Sequence, residues 1–335
     1  MSSGDEHMST GRGRPAALLT VRIAPADVGR RVTIRHRTTD SLLTDVVGVL
    51  LSWADGVLRV QRRTGEVREV AEAGVVAAKV VAPELSAEAM QRVAQAGWPP
   101  FETDSLGEWE LRASGGLTGR ANSVRVAGDP GVPLDQALAQ VSAWYAERGL
   151  SPMLQLPEPS LWDAALEHRG WARARRTTLC TVATADLLAA CGPLPGGVQA
   201  ELSVEATEEV LRFVEPSLDP VQLARILGAP PERVFVTMRD ADGGLLAAGR
   251  ASEAASAAGR WAGITSVVVA GHARCRGLGA AVTGELARWA SAQGAPSIYQ
   301  QVLAANAPAT ALCDRLGFAL HHAYCYRSPV AVSPR

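Results

Sequence analysis

The sequence predicts a chain of mixed class, α+β / α/β: a small all-β N-terminal barrel followed by units in which helices flank a mixed sheet. Three observations carry this. Residues 28–81 hold short runs of two-fold alternation cut by turn signals. From Ser86 onward helical and strand patterns alternate. The run Thr265 to Val269 stops before Gly271, turns through a basic loop and opens a helical run, Ala280 to Gln293. A chain of 335 residues holds two or three domains.

Met1 to Ala16 is rich in Gly, Ser and Arg, and residues 1–17 are expected to form a disordered tail. A barrel is expected over 18–83. Val32, Ile34 and His36 alternate with Arg31, Thr33 and Arg35, and Val46 to Leu51 reads as a buried run interrupted by Gly48. Asp55-Gly56 and Thr64-Gly65 are turn signals, and Val75 to Val81 completes five short strands, which closure into a barrel would protect at their edges. Ser86 is the expected N-cap of a helix that Gly97 and Pro99-Pro100 end.

Composition excludes several classes. With 47% hydrophobic and 20% charged residues the chain is globular rather than disordered. No segment reaches the run of about 18 apolar residues that a membrane helix needs. Met1 to Ser9 lacks the apolar core of a signal peptide. Five cysteines without a C-x-x-C pair suggest neither a disulfide framework nor a zinc site, so no metal is expected and a reducing cytoplasm fits. Residues 1–83 hold 12 basic and 9 acidic side chains, a small imbalance that reads as a solvated surface with a basic tail rather than a nucleic-acid patch. Lys79 is the only lysine, so the chain offers almost no lysine of its own for acetylation.

The strand-loop-helix over 265–293 carries the chemistry. Its loop reads His272-Ala-Arg274-Cys275-Arg276-Gly277-Leu278-Gly279, so free amides and a helix N-terminus meet at a strand end, a site for a phosphorylated ligand. The spacing Arg274-x-x-Gly277-x-Gly279 is neither a Walker A loop nor a dinucleotide fingerprint. After a second strand, Ser297 to Leu303, comes Asn306-x-x-Ala309-x-x-Leu312-Cys313-x-x-x-Gly317-Phe318. The two motifs together resemble the GCN5-related N-acetyltransferase (GNAT) family, with its R/Q-x-x-G-x-G/A loop and N-x-x-A-x-x-L-Y-x-x-x-G-F helix. Cys313 stands where the family usually has tyrosine.

The resemblance implies a GNAT domain over 198–328 that binds acetyl-CoA where two parallel strands splay. The pantetheine arm would pair with the strand Val267, Val268 and Val269, and a main-chain N–H there would polarise the thioester. The pyrophosphate would sit on Cys275, Arg276, Gly277, Leu278, Gly279 and Ala280, with charge from Arg274 and Arg276, and with glycines where a Cβ would block close approach. Leu278, Val282, Leu286 and Trp289 anchor the helix as core residues. Asn306 is an N-cap, with or without a contact to the cofactor. Tyr324 and Cys313 are the candidate proton donors to the leaving thiolate. No general base stands out: Glu253 is one candidate and a water chain another, while His272 reads as solvated, and His321 and His322 as lying at a strand start.

A fainter echo precedes this domain. Gly149, Gln155 and Gly170 parallel Gly294, Gln300 and Gly317 at offsets of 145, 145 and 147. A degenerate GNAT-like unit is therefore expected over 86–195, with Trp144 and Trp171 buried. In its loop slot Asp129 would repel phosphate and Pro130 and Pro133 lack N–H donors, so it should hold no CoA. The barrel is similar in size and order to the SH3-like barrel preceding some actinobacterial GNAT proteins. The leading function is acetyl-CoA-dependent transfer of acetyl to a primary amine of a small molecule or protein. A non-catalytic acyl-CoA-binding regulatory module is the alternative, and recruitment of an acetyltransferase to nucleic acid by the basic barrel a third reading.

Overall fold

The computed structural model describes residues 21–330 apart from 39, 63–64, 82–84 and 257–258. The chain falls into two compact units, residues 1–84 and 85–335. The expected tail and Thr64 lie outside the described residues.

In the first unit, β1 (Val21–Arg22), β2 (Arg31–Arg37), β3 (Leu43–Ala54), β4 (Val57–Gln61), β5 (Val67–Ala71) and β6 (Val75–Val80) form one sheet in the order β1-β6-β2-β3-β4-β5. It curls around Val32, Ile34, Val46, Leu50, Leu58, Val60, Val70 and Ala78, which form a single core. Two expectations change. Six strands replace five, and no ladder joins β5 to β1 among the described residues. Val46 to Leu51 is not a buried run: Val46 and Leu50 face the core, whereas Val47, Val49 and Leu51 are exposed, because a strand covered on one face alternates. Gly48 is required by crowding, since a Cβ there would lie 2.1 Å from the Gln61 carbonyl oxygen.

The second unit opens with α1 (Ala87–Ala96), β7 (Glu102–Leu106), β8 (Trp109–Ala113), β9 (Val124–Arg125), α2 (Leu134–Ala146), β10 (Leu154–Glu158), α3 (Asp163–His168) and β11 (Trp171–Ala183). After α4 (Thr184–Ala190) follow β12 (Gln199–Ser203), α5 (Glu208–Val214), α6 (Pro220–Leu227), β13 (Arg233–Arg239), β14 (Leu245–Ser256) and β15 (Gly259–Val269). The chain then runs through α7 (Leu278–Ala292), β16 (Ser297–Leu303), α8 (Ala307–Arg315) and β17 (Ala319–Pro329). Side-chain oxygens of Ser86, Thr207, Asp219 and Asn306 accept an amide hydrogen bond at the starts of α1, α5, α6 and α8.

All eleven strands of this unit form one sheet, β12-β13-β14-β15-β16-β11-β17-β10-β9-β8-β7. Each half ends in the same succession of helix, strand, helix and strand, but the final strands are exchanged. β11, from the first half, lies antiparallel to β16 through Thr177↔Leu303 to Ala183↔Ser297. β17, from the second half, pairs antiparallel with β10 through Leu154↔Arg327 to Glu158↔Ala323, and also with β11. The two faces follow strand alternation. On β13, Val234, Val236 and Met238 join the core under α4 and α7, while Phe235 joins that under α5 and α6. Helix α1 packs on the latter face, against Leu179, Ala254 and Tyr299.

Trp171 and Phe318 are buried, but Trp144 and Trp289 are only half-buried, contrary to expectation. The Trp144 indole reaches the surface, where its N–H donates to Asp104 at 3.1 Å and Arg148 stacks on its ring. One buried ion pair ties the halves together. Arg327 of β17 donates to Asp163 at the start of α3 at 2.9 Å and to the Trp171 carbonyl at 2.6 Å. Its side chain is 2% exposed. Asp163→Ala leaves this guanidinium with only the more distant Glu167 carboxylate, at 3.5 Å, and should cost about 2 kcal/mol. Asp135→Ala, which breaks the exposed pair with Arg169, should cost under about 1 kcal/mol. Denaturant unfolding of both variants measures the difference.

Candidate functional site

β15 and β16 pair in parallel only from Trp261↔Ser297 to Ile264↔Gln300. Beyond that rung β15 continues along β14 to Val269, and β16 continues along β11 to Leu303. A register shift between Ala248 and Arg250, with Ser266 at φ 55°, marks the bulge that swings β15 away. Ala262 to Ile264 are buried, and Thr265 to Val269 beyond them are half-buried. The result is a V whose two walls present unshared backbone groups. Val267, Val268 and Val269 form one wall, and Gln301 is the first residue of the other.

The loop after β15 leads to the N-terminus of α7. Cys275 (φ 59°) and Gly277 (φ 81°) are left-handed, and Gly277 caps the helix with no side-chain acceptor. The amides of Cys275 to Ala280 meet no acceptor among the described residues. Arg274 and Arg276 are exposed, with no carboxylate partner among the described residues. A Cβ on Gly277 would meet no protein atom within 4 Å, but its φ of 81° favours glycine; a Cβ on Gly279 would press on Leu312 Cδ2 at 3.2 Å, so α7 and α8 also pack closely there.

The corresponding loop of the first half differs in one decisive way. The Asp129 amide donates to Glu108 Oε2 at 2.6 Å, and the Gly131 amide to Asp129 Oδ1 at 2.8 Å. The protein's own carboxylates hold these amides, and α2 starts after Pro133 with no capping side chain. Between β9 and β10 lies a cavity of about 220 Å³, lined among others by Gln91, Arg125, Ala127, Gln155, Trp162 and Tyr324.

Tyr324 is buried and donates its hydroxyl to Gln301 Oε1 at 2.6 Å, across β11. Cys313 lies on the opposite face, where its thiol donates to Gln300 Oε1 at 3.1 Å. Burial, reinforced by Cys180 and Asp314, pushes its pKa up to about 12. The Asn306 side chain accepts from the Ala309 amide at 3.2 Å, as a cap does. Glu253 pairs with Arg260 at 3.4 Å; His272 is exposed, and His321 and His322 are buried side by side. Among the described residues no cluster of His, Cys, Asp and Glu is arranged to hold a metal, and no helix is long and apolar enough to cross a membrane.

Sequence reasoning missed Arg250, Arg120, Trp98 and Gln301. Arg250 did carry a signal, as a lone charge in the run Leu245-Leu-Ala-Ala-Gly-Arg-Ala-Ser252. It is wholly buried against Trp98, beside the last rung of the V. Arg120 stands in a glycine-containing loop and had none.

A mixed sheet whose parallel central strands splay beside an uncapped, glycine-rich helix start defines a GNAT-type N-acetyltransferase. Residues 87–327 match the family model described as "Probable histone acetyltransferase Rv0428c C-terminal", and residues 26–79 match "Rv0428c N-terminal Sm-like domain". The chain belongs to this family of GNAT N-acetyltransferases, enzymes that use acetyl-CoA. It is 31% identical over 312 residues to the "Probable histone acetyltransferase Rv0428c" of Mycobacterium tuberculosis, covering 88% of this chain and 93% of that one. It is 26% identical to the "Uncharacterized N-acetyltransferase YobR" of Bacillus subtilis, over 71% of this chain and 96% of that one. In fold it is similar to a GCN5-related N-acetyltransferase from Kribbella flavida, with a TM-score of 0.57 at 20% identity, covering 72% of this chain and 95% of that one.

Thiol exposure gives a direct check on the site. Cys275 is exposed in the loop, whereas Cys313 and Cys325 are buried with pKa values raised first by desolvation. Iodoacetamide at pH 8 should label Cys275 in the native chain, and Cys313 and Cys325 only after unfolding. Mass spectrometry of the peptides reads both.

Proposed function

We propose that the chain transfers acetyl from acetyl-CoA to a primary amine of a small molecule or a protein, with the cofactor in the V between β15 and β16. The observation that carries this is the row of unengaged amides from Cys275 to Ala280 at the open end of the V. The pyrophosphate takes those amides and the positive end of α7, with Arg274 and Arg276 alongside. The pantetheine arm lies against Val267, Val268 and Val269 as an added strand, and the Asn306 side chain borders it while capping α8. The amine nitrogen attacks the thioester carbonyl carbon, the C–N bond forms and the C–S bond breaks. One amine proton then ends on the CoA sulfur.

Tyr324 is the proposed donor of that proton, because its hydroxyl is bonded to Gln301, the first residue of β16 beyond the shared rungs. Cys313 is the weaker choice: a thiol with a pKa near 12 is a poor acid, and it lies in the core beneath α8. We assign no CoA to the first half, a degenerate copy in this reading. Glu108 and Asp129 already hold amides there that a pyrophosphate would need.

Gly277→Asp should abolish acetyl-CoA binding in calorimetry by placing a strained side chain and a negative charge at the phosphates; unchanged affinity in a folded variant would overturn the site. Acetyl-CoA should also slow alkylation of Cys275. Tyr324→Phe should lower kcat about 100-fold while leaving acetyl-CoA affinity unaltered, since only the transition state uses the proton. Full turnover in this variant removes the role from Tyr324.

A further inference from the structure

Three arginines converge beside the V on the face carrying α1, α5 and α6. Arg250 is 0% exposed. Its guanidinium donates to the carbonyls of Leu227 at 2.9 Å and Gly97 at 3.1 Å, and to Thr265 Oγ1 at 3.3 Å. Thr265 is the first residue of β15 past the last rung shared with β16, so this charge stands at the apex of the V. Arg250 Nη2 is buried without a hydrogen-bond partner. Arg120 Nη1 is in the same condition. The two guanidinium carbons lie 5.8 and 4.8 Å from the Trp98 ring centroid. Arg175, exposed, holds its guanidinium carbon 5.2 Å from the centre of the Tyr326 ring, and a Cβ on Gly119, next to Arg120, would lie 3.2 Å from that same ring. None of the three pairs with a carboxylate within 4 Å among the described residues, and the half-buried Glu215 carboxyl acts on Arg120 only from farther away.

Burying a guanidinium without an anion is costly, and two buried N–H groups without acceptors add to that cost. The desolvation shows in Arg250, whose pKa burial lowers to about 10, with Arg233 and Arg120 lowering it further against an opposing pull from Tyr299. Groups perturbed in this way concentrate at functional sites, and an anion would satisfy the open N–H groups. We infer that the arginines at the apex hold an oxyanion of the acceptor, so that the substrate is an amine that also carries a carboxylate or a phosphate. Planar guanidiniums suit either group. The amine would then lie toward the thioester, with its anionic end held between Arg120 and Arg250. A polybasic peptide is disfavoured, since its charges would face three cations of which only Arg120 feels a carboxylate, that of Glu215.

This inference rests on the acetyltransferase reading but is tested separately from it. With the full chain and acetyl-CoA, CoA release is measured for β-alanine and phosphoethanolamine, for their uncharged counterparts β-alaninamide and ethanolamine, and for a lysine-rich peptide. The β-alanine and phosphoethanolamine arms tell carboxylate from phosphate. An anionic amine should exceed its uncharged counterpart in kcat/KM by about 10- to 100-fold, the worth of charge-assisted hydrogen bonds. Arg120→Gln, at a half-exposed loop position, should remove most of that preference through KM and leave acetyl-CoA affinity unchanged. Equal use of uncharged amines, preference for the peptide, or a preference that survives Arg120→Gln overturns the inference. If no amine is acetylated, phosphate and acetate are used as probes of thermal stability. Their stabilisation should persist in Gly277→Asp and vanish in Arg120→Gln, and stabilisation that is absent or independent of Arg120 overturns the inference. Absence of acetyl-CoA binding to the unaltered chain would instead count against the cofactor site alone.

Discussion

The ladder between β11 and β17 is the interaction on which the rest of the 85–335 unit depends. Each strand is the last of its own half, yet each hydrogen-bonds the penultimate strand of the other, β11 to β16 and β17 to β10. Neither half has a complete sheet without the other, because removing either strand would leave a row of unpaired backbone groups at the centre. Buried contacts reinforce the exchange. Arg327 on β17 is held by Asp163 of the first half, and Tyr324 on β17 reaches across β11 to Gln301 of the second.

Continuity of the sheet also explains where backbone groups are left open. Strand pairing is satisfied almost everywhere, so the two places where parallel neighbours part company are the exceptions. At β15 and β16 the parting leaves backbone groups and a helix N-terminus facing open space. At β9 and β10 the loop amides are taken by Glu108 and Asp129, and the opening is reduced to a small cavity touched by Tyr324. The two openings share an architecture and differ in the sign of the charge supplied by the protein itself. Bare amides at a helix start favour negative charge, and carboxylates that already occupy such amides oppose it.

The face beside the apex of the V follows a related electrostatic logic. α1 and the loop carrying Arg120 come from the first half, whereas Arg250 and Thr265 come from strands of the second. The first half thus supplies part of the wall over the second half's V. Buried Arg250 and half-buried Arg120 around Trp98 place positive charge beside the apex of the V.

The sequence by itself determined the local elements and the loop that opens α7. The alternation in Val32 to Ile34, the caps at Ser86 and Asn306, and Arg274-x-x-Gly277-x-Gly279 before a helix are all read from neighbours within a few residues, where backbone preference and capping chemistry act. Even there the close packing of Gly279 on Leu312 emerged only with the tertiary structure. The repeat of Gly149, Gln155 and Gly170 in Gly294, Gln300 and Gly317 hinted at two related halves but not at how they join. The exchange of β11 and β17, the pairing of Tyr324 with Gln301 and the meeting of Arg120 with Arg250 were decided by tertiary structure. They join residues far apart in the chain, and no local rule carries that information, because which strands lie side by side is settled by burial and ladder completion over the whole unit.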